Sequence, residues 1–576
     1  MASSSPTIKS QYQHFVPRFM LRNFGEAVQT PPRRGRNRRG RRQDQKDFII
    51  NVIDIKDATI RQNSISREFG LVDMYRDPGL ENEHELEMKL SKLESAASRT
   101  IAKAVDTFSS SINNEAILSL TRSERDTLRK FLFLMKYRNS KFYQRYNHQD
   151  IGAYDANDKE NMKLYLEKGN FKTPKDVWYA NLRAFIDLQM DAARNWVPRL
   201  LDLVYPDDAK MFIYHVQQCY MAFCKPSSDS QEFFLPDNAY GIFEGPDIQI
   251  FDPNTGKFNQ STYTEYHNFA PISPKLLIIL RSDLLATNLG DGSQGIQELY
   301  YETSRNFYPN PDGVYSILED LPIQKCQNSY SEIRDGKLVF NQDSTQLTLK
   351  DVFFFRCFQL PRKHVDIINT IFLDRGVGAL SIAFKSKAAA LRAIEEYLTT
   401  IRYGFKLVTD QPDDPCLCYL RKLEAVVKQL GGKAKAKYTI WAAPKPEVHM
   451  SGWVGMIVGA HIFATESLME VYRILRPGSS TKGFVNDQVQ ASRMLFLKIK
   501  TDVILSRSTL TLAKRAETKK CVADFLMTFP PPRLWLYIKF AKNLGNIDTR
   551  DFKKQIRPLE LEGPEDMIAR GVSFHI

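Results

Sequence analysis

Long apolar runs are missing from this 576-residue sequence. The longest, near Gly452 to Ala464, falls short of the ~20 residues that a bilayer-crossing helix needs, so no membrane partner is expected. Cysteine is sparse: there are seven, an odd number. With no apolar leader at the N-terminus, this argues against a disulfide-framed secreted protein and for a reducing interior compartment. The cytoplasm is therefore the expected location, or the nucleus in view of an arginine tract described below. The common catalytic patterns are missing too. There is no Gly-x-Ser-x-Gly elbow, Walker-type loop, Gly-x-Gly-x-x-Gly or His-Glu-x-x-His. His84-Glu85 lacks a second histidine. Cys416 with Cys418, and Cys219 with Cys224, lack a matching His or Cys pair at ligand spacing. No metal and no cofactor is expected, and no internal repeat is found.

What is present is a globular composition with an excess of positive charge. Hydrophobic residues make up 43% and charged residues 26%, enough to build a core, and the length calls for two domains or three. The net charge of +13 favours an anionic partner such as RNA, DNA or a lipid surface. Seven of those charges are the arginines of the run Arg33 to Arg42; without them +6 remains.

Pattern divides the chain into stretches. Residues 1–10 read as a flexible tail, residues 11–405 as a core domain, and residues 406–576 as a mostly helical C-terminal region. Within the core, residues 28–47 read as a disordered arginine-rich insertion. Phe48 to Ile55 reads as a strand. Leu86, Leu90, Leu93, Ala97, Ile101 and Val105 recur at helical spacing over residues 80–108. Thr121-Arg122-Ser123-Glu124 is a capping box that opens a helix to about Asn139. A third helix is predicted over Pro174 to Trp196. Short strands are predicted at 220–223, 232–235, 276–280, 352–360 and 380–384, with helices after Pro361 and over 386–402. The fold class that follows is α+β, predominantly helical, with a small mixed or antiparallel sheet in the middle of the chain.

One segment stands out, Gln13-His14-Phe15-Val16-Pro17-Arg18-Phe19-Met20-Leu21-Arg22-Asn23-Phe24. Two arginines four apart on an apolar segment are costly to bury unpaired, so they should meet carboxylates or an anionic ligand. The segment resembles the His-x-x-Pro-x-x-(aromatic or Met)-Leu-Arg-x-Phe opening of a large family long catalogued as a domain of unknown function. Its fungal members include the arginine-containing cyclodipeptide synthases. Four further stretches are similar to that family in order: Glu87 to Ala97, Arg138 at a helix end, Phe233 to Asn238, and His267 to Lys275. The resemblance runs from residue 11 to about 400. It implies a secondary-metabolism enzyme that takes amino acids from aminoacyl-tRNAs, arginyl-tRNA and a second one, and closes them into a diketopiperazine.

Candidate site residues follow from chemistry. His14 can accept a proton from an amine or hydroxyl near neutral pH, or it can simply hydrogen-bond the Pro17 turn. Glu87 and Glu94 lie two helical turns apart on one face, a pairing suited to a guanidinium, either of the substrate or of Arg18, Arg22 or Arg138. Asp237 and Asn238 end an apolar strand, where site residues are favoured and tight turns are also common. Ser273, between two prolines, has only His267 nearby as a base and reads as a rigid turn. The expected assignment is His14, Glu94, Asp237 and Asn238 as catalytic residues, with Arg18, Arg22, Glu87 and Arg138 binding substrate. His14 or a carboxylate would be the base, the Glu87/Glu94 pair the guanidinium holder, and Asn238 a donor to the oxyanion. Two other classes stay open: a nucleic-acid phosphodiesterase, which would need clustered carboxylates for metal, and a non-enzymatic RNA-binding or toxin-like protein.

Overall fold

A computed structural model of the protein describes residues 10–28, 47–77, 80, 82–109, 116–154, 156, 158–252, 257–285, 314–334, 337–341, 347–402 and 404–440, with a few positions between 505 and 518. The chain forms two compact units, residues 1–283 with 316–443, and residues 284–315 with 444–576. The first is described almost throughout. Nearly all of the expected N-terminal tail, the arginine tract between Val28 and Asp47, and most of the expected helical C-terminal region lie outside the described residues. Of that last region, residues 406–440 hold one helix, Pro415–Gln429.

Sheets, rather than helices around one small sheet, organise the first unit, which corrects the expected fold class. The larger sheet has seven strands. Cys219–Pro226, His267–Ser273, Leu276–Ser282 and Val352–Leu360 form its centre; Ile117–Thr121, Phe243–Glu244 and Gln327–Asn328 complete it. Val352–Leu360 runs parallel to Cys219–Pro226, and the other pairings are antiparallel. A second sheet of five strands joins Glu26–Val28, Asp47–Asp54, Thr59–Ser64, Leu235–Pro236 and Ser381–Phe384. The fold is thus mixed α/β.

Both faces of the large sheet are covered, because side chains alternate along a strand. Met221, Phe223, Ile278 and Leu280 enter one core, filled from the N-terminal helices by residues such as Leu90, Phe131 and Phe212. Their neighbours Tyr220, Ala222, Leu277 and Ile279 enter the other, filled by Ile368, Ile394 and Leu423 from helices Arg362–Asp374, Lys387–Thr399 and Pro415–Gln429. A strand buried on both faces reads as an unbroken apolar run, which periodicity cannot tell from a buried helix segment. The pattern still marked strands at 220–223, 276–280 and 352–360; the sheet's extent escaped it because pairing is set by chain distant in sequence.

Helices follow their local signals more closely. Helix α1 spans Arg18–Phe24, α2 Glu85–Ser109, α3 Arg122–Tyr137 and α4 Ser140–Tyr146. The Thr121/Glu124 capping box closes both ways: Glu124 N donates to Thr121 Oγ1 at 3.2 Å and Thr121 N to Glu124 Oε2 at 2.8 Å. Between α3 and α4 lies a two-residue hinge, Arg138-Asn139, whose Asn139 Oδ1 caps α4 by accepting from Phe142 N at 2.8 Å. The expected helix over 174–196 stops at Asp187, and a separate one begins at Trp196.

The N-terminal segment is locked in by pairing and by burial. Tyr12–His14 pairs antiparallel with Gly70–Val72, His14 lying opposite Gly70. Met20, Leu21 and Phe24 of α1 are buried, each contributing about 1.5–3 kcal/mol relative to exposure.

Candidate functional site

Three strips of chain meet beside the α3–α4 hinge: the N-terminal strand, the face of α2 that carries Glu87 and Glu94, and the segment Leu235–Gly241. At their centre is Arg138, only 1% exposed. Its Nη2 donates to Glu94 Oε1 at 2.7 Å and reaches Met135 Sδ at 3.2 Å, while Nε and Nη1 close no hydrogen bond. Cζ lies 5.9 Å from the centre of the buried Tyr75 ring. A buried guanidinium with unmade hydrogen bonds is expensive, because each unpaired donor forfeits its hydration. Such a group is a candidate for receiving ligand oxygen.

His14 sits beside it. Nε2 donates to the Ile65 carbonyl, 3.1 Å away, which leaves the lone pair on Nδ1. Burial lowers the imidazole pKa to about 4; Arg18 and Arg138 add to the fall, and the Ile65 carbonyl opposes it. The ring is therefore neutral across the physiological range.

The other expected residues divide. Glu94 is engaged by Arg138, whereas Glu87 accepts from Gln13 Nε2 at 2.7 Å. The two carboxylates hold the chain's own partners and do not act as one guanidinium clamp, which corrects that expectation. Arg18 is exposed, close enough to bear on His14. Arg22 is exposed with its guanidinium 5.8 Å above the Phe48 ring, away from the cluster, so its expected place in the site is corrected. Neither arginine needed a carboxylate, because α1 turns both heads to solvent while burying its apolar side.

Asp237 and Asn238 lie on the far side of the hinge, tied to it by neighbours of Arg138. Ser140 Oγ donates to Asp237 Oδ2 at 3.3 Å and Leu380 N to the same oxygen at 3.1 Å. A Cβ on Gly241 would come within 2.5 Å of Asn139 Nδ2, so the glycine permits this close approach. Tyr240, two residues past Asn238, feels the charge of Arg138. Asp237 is 2% exposed, and burial raises its pKa to about 6 against the pull of the Leu380 amide and Ser140. Asn238 Nδ2 donates to the Arg375 carbonyl at 3.1 Å. That bond uses one of the two N–H donors of its amide.

Gln13, Tyr75, Ser140 and Tyr240 belong to the cluster and were not singled out by sequence. Gln13 Oε1 accepts from Tyr75 N at 2.6 Å and so fixes the tyrosine behind Arg138. A buried glutamine beside His14 was the one signal available; Tyr75 lies in a loop with no pattern. Ser273 Oγ only accepts the Lys275 amide, and His267 pairs with Glu244 at 2.8 Å, which leaves the turn reading. Among the described residues no group of His, Cys, Asp and Glu could hold a metal ion, and no helix is long and apolar enough to cross a membrane.

A buried acid–guanidinium–imidazole cluster at the junction of a mixed sheet and a helical layer is the class of site this fold presents. The chain belongs to the family described as Protein of unknown function (DUF4238), which matches residues 12–387. No curated protein and no solved structure matches it.

Proposed function

We propose that the protein is an aminoacyl-tRNA-dependent synthase that joins arginine to a second amino acid and closes the pair into a cyclic dipeptide. The observation that carries this reading is the cluster of neutral His14, Arg138 with two open nitrogens, and Glu94. Acyl transfer from a tRNA ester needs no cofactor, since the ester is already activated. It needs an oriented amine, a proton acceptor and donors to the developing oxyanion. Arg138 Nε and Nη1 supply the donors, and Glu94 holds the guanidinium in place. His14 Nδ1 takes the proton from the attacking amine as the C–N bond forms and returns one to the departing 3′-oxygen of the tRNA. The second ring-closing transfer repeats the step with the remaining amine. The excess of basic residues suits docking of the RNA backbone.

Expression in a heterologous host, followed by mass spectrometry of the medium, tests the reading. An arginine-containing diketopiperazine is expected from the wild type, and from a purified reaction only while the tRNA is intact. Product that persists after ribonuclease treatment would remove the RNA-borne substrate. Arg138→Lys keeps the charge but loses the forked donors. Its turnover is expected to fall by about a hundredfold or more; unchanged turnover would take Arg138 out of the chemistry.

A further inference from the structure

Asp237 presents an unusual electrostatic situation. It is a buried carboxylate with no cation among the described residues bonded to it. Its Oδ2 accepts from Ser140 and Leu380. The Asn238 and Asp237 amides lie near enough to favour the ionised form, but among the described residues none closes a hydrogen bond onto Oδ1. The adjacent residue is similar: Asn238 is 6% exposed, donates one Nδ2 hydrogen to the Arg375 carbonyl, and leaves Oδ1 unpartnered among the described residues. Two cations of the neighbourhood are engaged elsewhere, and a third, Lys141 beside Ser140, bears on Arg375 and Asp247. Arg375 Nη1 donates to Asp247 Oδ2 at 2.8 Å, and Arg138 is paired with Glu94. Buried carboxylates are ordinarily paired or fully hydrogen-bonded. Two consecutive buried residues that each leave a side-chain oxygen open suit a guest that brings donors and positive charge.

We propose that Asp237 Oδ1 and Asn238 Oδ1 form a binding site for a cationic nitrogen group of the substrate, with the role of guanidinium holder passing to them from Glu87 and Glu94. Two sources share that chemistry, the guanidinium of an arginyl group and the α-ammonium of an aminoacyl ester. Either gives at least two N–H donors to the two oxygens and neutralises the carboxylate. The proposal rests on the synthase reading only for where the guest comes from; the acceptor pair itself does not depend on it.

Calorimetric titration of the full chain with two RNA-free probes separates the sources. N-acetylarginine amide carries a guanidinium and no free ammonium; alanine methyl ester carries the reverse. Saturable binding of the first assigns the guanidinium, of the second the α-ammonium, and either supports the site. Asp237→Asn preserves shape and the contacts to Ser140 and Leu380, and should weaken that binding by about tenfold or more. Ser140→Ala removes a contact to the other oxygen and should leave the affinity within about threefold. A carboxylate that serves structure alone would respond to both substitutions through stability and to neither through affinity. Absence of binding by both probes, or equal binding by wild type and Asp237→Asn, overturns the proposal. Binding by a chain that makes no cyclic dipeptide would retain this site and remove the synthase reading, so the two fail separately.

Discussion

Single side chains at the hinge carry costs that measurement can read. Asp237 titrates at about 6, above its ordinary 3.8. Between those values the folded chain holds a proton that the unfolded chain has released, so this group's contribution falls as pH rises through that window. Above it the ionised carboxylate, whose hydrogen bonds only partly offset its burial, costs up to about 3 kcal/mol. Asp237→Asn should therefore stabilise the ligand-free protein by up to about that amount at pH 7.5 in chemical denaturation, with the difference gone below about pH 4. Destabilisation at pH 7.5 would mean the carboxylate is already compensated. His14 has the opposite sign. Its folded pKa of about 4 lies below the ordinary 6.5, so the unfolded chain binds the proton first and stability declines as pH falls through that interval. A proton NMR titration of the ring should give an inflection near 4; one between 6 and 7 would contradict the burial.

At the scale of elements, buried lysines finish two helices. Lys406 Nζ donates to the carbonyls of Tyr397, Leu398 and Thr400, at 2.5, 3.0 and 2.8 Å, and so satisfies the C-terminal end of Lys387–Thr399. Lys130 does the same for Pro174–Asp187 through the carbonyls of Ile186 and Leu188. Helix ends leave four carbonyls unsatisfied, and a buried end must find donors. Lys406→Met strips the donor from three carbonyls and should cost about 2–4 kcal/mol by the denaturation midpoint; a loss below about 0.5 kcal/mol would show that water replaces the ammonium. Local signals were enough for several elements: the Thr121 capping box, Pro361 before Arg362–Asp374, and the period of α2. They also marked strands at 220–223 and 276–280, inside Cys219–Pro226 and Leu276–Ser282, but missed His267–Ser273 and the pairing that joins these strands into one sheet.

For the whole molecule, charge and topology combine at the arginine tract. Val28 and Asp47 face each other across an antiparallel ladder, so the chain on either side of the tract is joined independently of it. Deleting residues 33–42 should leave the unfolding midpoint unchanged. It should also flatten the salt dependence of tRNA binding, by about 0.7–0.9 in the log–log slope for each phosphate that the shortened chain no longer neutralises. An unchanged slope would place RNA docking elsewhere, and a collapse of the midpoint would make the tract part of the fold. The same scale explains the candidate site. Glu94, Arg138 and His14 were visible one by one as chemistry-bearing residues, and they converge. Arg22 matched the same signature and faces solvent, since helical phase, not motif membership, decides which side of α1 it occupies.

Sequence alone determined the helical periods, the cap at Thr121, the strand at Phe48 to Ile55 and the set of residues able to carry chemistry. These depend on contacts within a few positions along the chain. Tertiary structure decided the seven-stranded sheet, the pairing of Glu94 with Arg138, the exposure of Arg22 and the open oxygens of Asp237 and Asn238. Each of these depends on which distant groups share a buried space. Whether a charge is met, hydrated or left waiting there is set by its neighbours in three dimensions, not by its neighbours in order.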